Sequence, residues 1–226
     1  MSTLGRLSLA TACGLLLFAG LALGAVIKGT NGNDVLGGTK KADLINGKRG
    51  NDYITGRRGK DELLGERGRD QLYGLRGADI TRGGPGSDFM SEFDLAAAPG
   101  STLRLPQRRG GSGDLPGDDR MFGNGGDDEM EGSLGADLIR GGAGNDVTLF
   151  GDPGDDRIFG GPGNDEIEGE EGADLMSGGP GNDFIDAAND DNGRVDRITC
   201  GPGDDEVVVG PGDVVSVDCE TVSKPV

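Results

Sequence analysis

Aspartate returns at every ninth residue along most of this 226-residue chain. The series runs Asp34, Asp43, Asp52, Asp61, Asp70, Asp79 and Asp88. It resumes at Asp119, Asp128, Asp137 and Asp146, then at Asp156, Asp165, Asp174 and Asp183. Carboxylates so regularly spaced could act as acid or base, as ligands for a hard cation, or as solvated charge. The chain has no His. That excludes a Ser-His-Asp triad, a Cys-His pair, an HExxH zinc site and any imidazole switch. An acid/base pair among the turn carboxylates stays open, because such chemistry needs only two of them. For a metal, the ligands on offer are carboxylates and backbone carbonyls, all oxygen. Ca²⁺ suits that set, since it accepts many oxygens in irregular geometry, whereas Mg²⁺ demands a tight octahedron.

The elements that position these aspartates are nine-residue units. From Gly29 they read GTNGNDVLG, GTKKADLIN, GKRGNDYIT, GRRGKDELL, GERGRDQLY, GLRGADITR and GGPGSDFMS. From Asp114 they read DLPGDDRMF, GNGGDDEME, GSLGADLIR and GGAGNDVTL, with Phe150 as one extra residue. GDPGDDRIF, GGPGNDEIE, GEEGADLMS and GGPGNDFID follow. Position six is Asp in all fifteen units. Position four is Gly in all but one, where Lys41 stands, and position one in all but one, where Asp114 stands. Position eight is apolar except at Thr81 and Thr148.

One inward apolar residue among positions seven to nine predicts a three-residue strand over a narrow core. Positions one to six predict a turn, with glycine where the backbone takes positive φ or passes close to a neighbour. Such a unit buries almost nothing alone and must stack. Two units make one coil, so units n and n+2 lie above each other. The fold class expected is all-β. Stacking also lines up two ladders of like charge, which repel. A hard cation between successive turns removes that conflict.

Composition agrees. Glycine supplies 47 residues, against a usual share of roughly 7%. The net charge of −18 argues against nucleic acid or an anionic membrane as partner. The charge is lopsided: residues 29–91 sum to +2 and residues 92–226 to −22.

The unit G-G-x-G-x-D-x-(apolar)-x resembles the haemolysin-type, or RTX, calcium-binding nonapeptide. GGPGSDFMS, GGAGNDVTL, GGPGNDEIE and GGPGNDFID carry the likeness most fully, and the two blocks together span 136 residues. The resemblance implies a parallel β-roll (β-solenoid) with several Ca²⁺ ions between adjacent turns. It implies position-six aspartates and turn carbonyls as ligands, hence the fifteen aspartates named above. The first block departs from the pattern at positions two to four, with Lys40, Lys41, Lys48, Arg49, Arg57, Arg58, Arg67 and Arg76. Three readings of these side chains stand open: solvated charge, neutralisation of the carboxylate ladder in place of calcium, or a docking face for an anionic polymer.

Residues 1–25 read as a secretory signal peptide: Arg6, an apolar run from Leu7 to Leu23, then small residues. Residues 29–91 form the first repeat block, 92–113 a linker or loop, and 114–186 the second block. Residues 187–226 hold degenerate repeats and a C-terminal cap, with Asp196 and Asp205 at position six and alternating Val215 and Val217. Beyond the leader only Cys200 and Cys219 remain, and an even pair in a secreted chain reads as a disulfide, here pinning the cap. The DRITCGPG…DCE ending extends the resemblance to that end. The function expected is a secreted, extracellular calcium-binding structural or binding module. An adhesin or acidic-polysaccharide-binding module is the alternative, and a polysaccharide-modifying enzyme the remoter one. No residues are left between leader and repeats for a catalytic module.

Overall fold

A computed structural model describes residues 24–91, 117–188 and 194–224. Most of the expected leader, the 92–113 linker and part of the 187–193 loop lie outside the described residues. The described residues form short strands in two parallel sheets of ten. Sheet one holds Val26–Lys28, Leu44–Arg49, Glu62–Arg67, Ile80–Pro85, Arg120–Gly125, Leu138–Ala143, Arg157–Phe159, Leu175–Ser177, Arg197–Thr199 and Val214–Val215. Sheet two holds Val35–Gly37, Tyr53–Arg58, Gln71–Arg76, Phe89–Ser91, Glu129–Glu131, Leu149–Phe150, Glu166–Glu168, Phe184–Ala187, Glu206–Val209 and Thr221–Ser223. Consecutive strands alternate between the sheets, so every second unit pairs, as in Ile45↔Leu63 and Ile54↔Leu72. This is the expected β-roll, with one coil per two units.

The two repeat blocks form one stack. Ile80–Pro85 pairs with Arg120–Gly125, and Phe89–Ser91 with Glu129–Glu131. The interruption in the sequence therefore does not interrupt the sheets.

The core is two facing files of position-eight side chains. Ile45, Leu63, Met121, Ile139, Ile158 and Met176 come from sheet one. Ile54, Leu72, Met90, Met130, Leu149, Ile167 and Ile185 come from sheet two. All are fully buried, each contributing roughly 1.5–3 kcal/mol. Thr81 takes the same inward place at 1% exposure.

One detail differs from the sequence reading. Leu149, not Thr148, faces the core and pairs with Met130 and Ile167. Thr148 is the extra residue and takes φ 67°, a bulge that lets the strand regain its place. With Leu149 as position eight and Phe150 as position nine, Thr81 is the lone polar residue at position eight.

The C-terminal end is a further coil. Val215 pairs with Ile198 and Val222 with Val207, so both sheets gain a tenth strand. Of the alternating valines, Val215 packs against the core while Val217 is fully exposed. The disulfide is present: Cys200, buried in the core, is bonded to Cys219 across a Cα separation of 5.2 Å.

Candidate metal centre

Position six lies just before each strand, so its side chain turns in under the bend while position seven turns out. The result is two internal files of carboxylates. One runs Asp34, Asp52, Asp70, Asp88, Asp128, Asp146, Asp165, Asp183 and Asp205. The other runs Asp43, Asp61, Asp79, Asp119, Asp137, Asp156, Asp174 and Asp196. In each file the backbone N–H of one aspartate donates to Oδ1 of the aspartate one coil later, at 2.5–2.9 Å. All fifteen predicted aspartates take their places in these files. All are buried except Asp34, which is half-buried on the first coil.

Oδ2 has a different fate. At Asp52, Asp61, Asp70, Asp79, Asp88, Asp119, Asp128, Asp137, Asp146, Asp156, Asp165, Asp183 and Asp205 it is buried without a hydrogen-bond partner. A buried carboxylate oxygen left so is costly. At Asp52, Asp61, Asp70, Asp88, Asp128, Asp137, Asp146, Asp156, Asp165 and Asp183 it looks toward the position-one glycine of its own unit, where a side chain is missing. A Cβ built on Gly132 would stand 2.7 Å from Asp137 Oδ2 and 2.7 Å from the carbonyl oxygen of Gly151. At Gly151 the distances to Asp156 Oδ2 and to the Gly169 carbonyl are 2.6 and 2.7 Å. Carboxylate and carbonyl oxygens of successive coils thus converge on a hollow that glycine keeps open. Position-one glycines serve close approach, whereas position-four glycines such as Gly144 (φ 149°) serve a left-handed bend.

The electrostatics point the same way. Burial pushes Asp61, Asp88, Asp137 and Asp165 up to about 7, against the opposing pull of the backbone N–H each accepts. Asp119 and Asp128 are pushed to about 8 and Asp156 to about 9, again by burial first, with neighbouring carboxylates adding to it. Position-five Asp118 and Asp127 and position-two Asp152 are among those neighbours. In the first block Asp79 reaches only about 6, and Lys60 acts to lower it. The strongest upward shifts, at Asp119, Asp128 and Asp156, thus fall in the second block.

A basic residue of the first block reaches the turn carbonyls directly. Lys48 Nζ donates to the carbonyl of Gly29 at 2.5 Å, at the end of the stack. Lys48 and Arg57 hold position two at φ 83°, where fuller repeats have glycines such as Gly161 at φ 118°. At the same end Thr30 and Thr39 donate their backbone N–H groups to Oδ2 of Asp34 and Asp43. The first coil thus meets its carboxylates with the chain's own donors.

Three contributions were not read from the repeat, two of them because they lie off its spacing. Asp213 Oδ1 accepts the N–H of Asp196, and Glu220 Oε2 that of Asp205. They finish the two files, but they sit 17 and 15 residues on, so an eighteen-residue spacing misses them. Glutamate's extra methylene makes up reach over the shorter interval. Position five forms an outer, exposed ladder: Asn164 N–H donates to Asn145 Oδ1, and Asn182 N–H to Asn164 Oδ1. The recurring Asn-Asp dipeptide was the available signal.

The family model of the RTX calcium-binding nonapeptide repeat matches four stretches, residues 28–63, 56–90, 115–147 and 150–185. The chain belongs to this RTX repeat family. RTX nonapeptide repeats bind Ca²⁺, and four matched stretches imply several ions. The RTX β-roll is a non-catalytic structural fold. No curated protein matches the chain. The donor set fits the ion: all oxygen, buried, unpartnered and aimed at hollows kept open by glycine.

Proposed function

We propose that this RTX chain is a secreted calcium-binding module, structural and binding rather than catalytic, whose folding is driven by Ca²⁺ held between stacked turns. Of the fifteen position-six aspartates, the thirteen from Asp52 to Asp183 are its carboxylate ligands, with position-one carbonyls beside them; Asp34 and Asp43 are met by backbone donors at the first coil, and Asp196 and Asp205 extend both files. The observation that carries this reading is the double file of buried Oδ2 atoms without partners. Ca²⁺ bound there would supply positive charge and accept the many oxygens that the carboxylates and carbonyls offer. The chain's own residues do the rest: Oδ1 holds the neighbouring coil by its N–H, and glycine leaves the hollow. Secretion is supported by the Leu7–Leu23 apolar run and by the Cys200–Cys219 bond, which suits an oxidising compartment.

The magnitude suffices to decide folding. At roughly 10⁻⁴ M affinity and about 1 mM calcium, each ion adds about 1.4 kcal/mol. Six ions in the second block would add about 8 kcal/mol, as much as the net stability of a whole domain. Far-UV circular dichroism with and without chelator tests this. The β signal should collapse on chelation, and an unchanged spectrum would overturn the proposal. Recognition of an acidic polysaccharide through Arg57 and Arg58 has less support. Arg57 lies over Gly37, its Nη2 3.4 Å from where a Cβ would stand, and Lys48 is engaged by Gly29.

A further inference from the structure

Positions seven and nine point outward, and in the second block the two sheets display opposite charges there. Sheet one presents Arg120, Arg140, Arg157 and Arg197, with no carboxylate at these positions from Arg120 to Thr199. Sheet two presents Glu129, Glu131, Glu166, Glu168, Asp186 and Glu206, with no basic residue at these positions from Glu129 to Val208. The segregation follows from alternation: sheet-one units carry Arg at position seven or nine in all but the Asp174 unit, sheet-two units carry Glu or Asp there in all but the Asp146 unit, and the coil deals them to opposite sheets.

The two faces also match in spacing. Along sheet one, Arg120 and Arg157 are two coils apart. Along sheet two, the pairs Glu129/Glu131 and Glu166/Glu168 are two coils apart. Both intervals are therefore about 10 Å, twice the strand spacing. The arginines are held on their face: Arg140 and Arg157 lie over the Phe159 ring at 5.3 and 5.9 Å, and Arg82 over Phe122 at 5.4 Å. Among the described residues, positions seven and nine of sheet two carry no Lys or Arg.

We propose that the arginine face of one molecule docks on the glutamate face of a second copy of this chain. The faces lie back to back on one roll, so the contact is heterologous and does not close. Copies add face to face in an open row. Exposed charges on both sides make the contact weak and strongly salt-dependent. This extends the module's role from binding calcium to calcium-dependent self-assembly, and it rests on the calcium-folded roll.

Sedimentation velocity in calcium tests it, with circular dichroism on each sample to hold the fold fixed. The wild-type sedimentation coefficient should rise with concentration at low salt and fall back to the monomer value at about 500 mM salt. Arg140→Glu with Arg157→Glu, and separately Glu166→Lys with Glu168→Lys, should each weaken association at least about tenfold. Mixing the two variants should restore it, because each keeps one native face and their reversed faces complement each other. Arg120→Glu with Arg197→Glu, matched to Glu129→Lys with Glu206→Lys, repeats the test on separate residues. A folded wild type that stays monomeric at every concentration overturns the proposal. So does association indifferent to the reversals, or a monomer whose arginine face retains only an acidic polysaccharide such as polygalacturonate.

Discussion

Asp137→Asn separates the two tasks assigned to a position-six carboxylate. Oδ1 of Asp137 accepts the N–H of Asp119 at 2.7 Å, while Oδ2 lies buried without a partner beside Gly132 and the Gly151 carbonyl. Asparagine keeps the Oδ1 acceptor, removes the charge and sets an NH₂ where Oδ2 was. Burial pushes the Asp137 carboxyl up to about 7, and Asp118 and Asp152 add to the rise. From an ordinary carboxylate to that value is roughly three pH units, a ceiling of about 4 kcal/mol near pH 8 without calcium. The buried amide gives back about half. The variant should therefore gain roughly 2 kcal/mol when stability is extrapolated to zero calcium. With calcium the effect reverses. Near saturation each bound ion raises stability by about 1.4 kcal/mol per decade of free calcium. Losing one ion lowers that slope by the same amount, and losing two by about 2.7 kcal/mol. Urea unfolding followed by circular dichroism, across about 0.1–10 mM buffered calcium, measures both quantities. The two stability lines should cross. An unchanged slope with lower stability at every calcium concentration would refute the reasoning, since Asp137 would then serve only as acceptor for Asp119.

Three further outcomes follow from the same geometry. Gly132→Ala adds a Cβ 2.7 Å from Asp137 Oδ2 and from the Gly151 carbonyl, at a glycine whose φ is not left-handed, so calorimetry should count at least one ion fewer than in wild type. The calcium-free chain should be more stable near pH 5 than near pH 8: with folded values of about 6 to 9 against about 4 unfolded, the native state binds more protons, and stability falls as pH rises through that window. Dichroism of the decalcified chain across that range checks it, and calcium should remove the trend by taking the place of the protons. Cys200→Ser with Cys219→Ser opens a link spanning 19 residues and should lower stability by about 3 kcal/mol, read from the urea midpoint in calcium.

Much of this molecule is legible in the chain. An aspartate, two glycines and one apolar residue recur at fixed places in nine. From those places come the strand, the turn, the two-unit coil and the carboxylate files, because a unit this small has only one way to bury its apolar residue. The reading failed where the spacing breaks. Thr148 and Leu149 exchange roles because a bulge costs less than a polar residue at Leu149's buried place. Asp213 and Glu220 were hidden because the last coil is shorter than eighteen residues.

The sequence by itself determined the repeat, its inward residues and the oxygen character of the site. Tertiary structure alone decided three things. Strand pairing across the interruption made one roll of two blocks. Contact between coils gave the carboxylates of both files an Oδ1 that holds the neighbouring backbone and, at thirteen of them, an Oδ2 buried without a partner. Assignment of alternate units to opposite sheets turned a scattered set of Arg and Glu residues into two faces of opposite sign. All three depend on residues eighteen or more apart meeting across a sheet spacing, and no single nine-residue unit contains that distance.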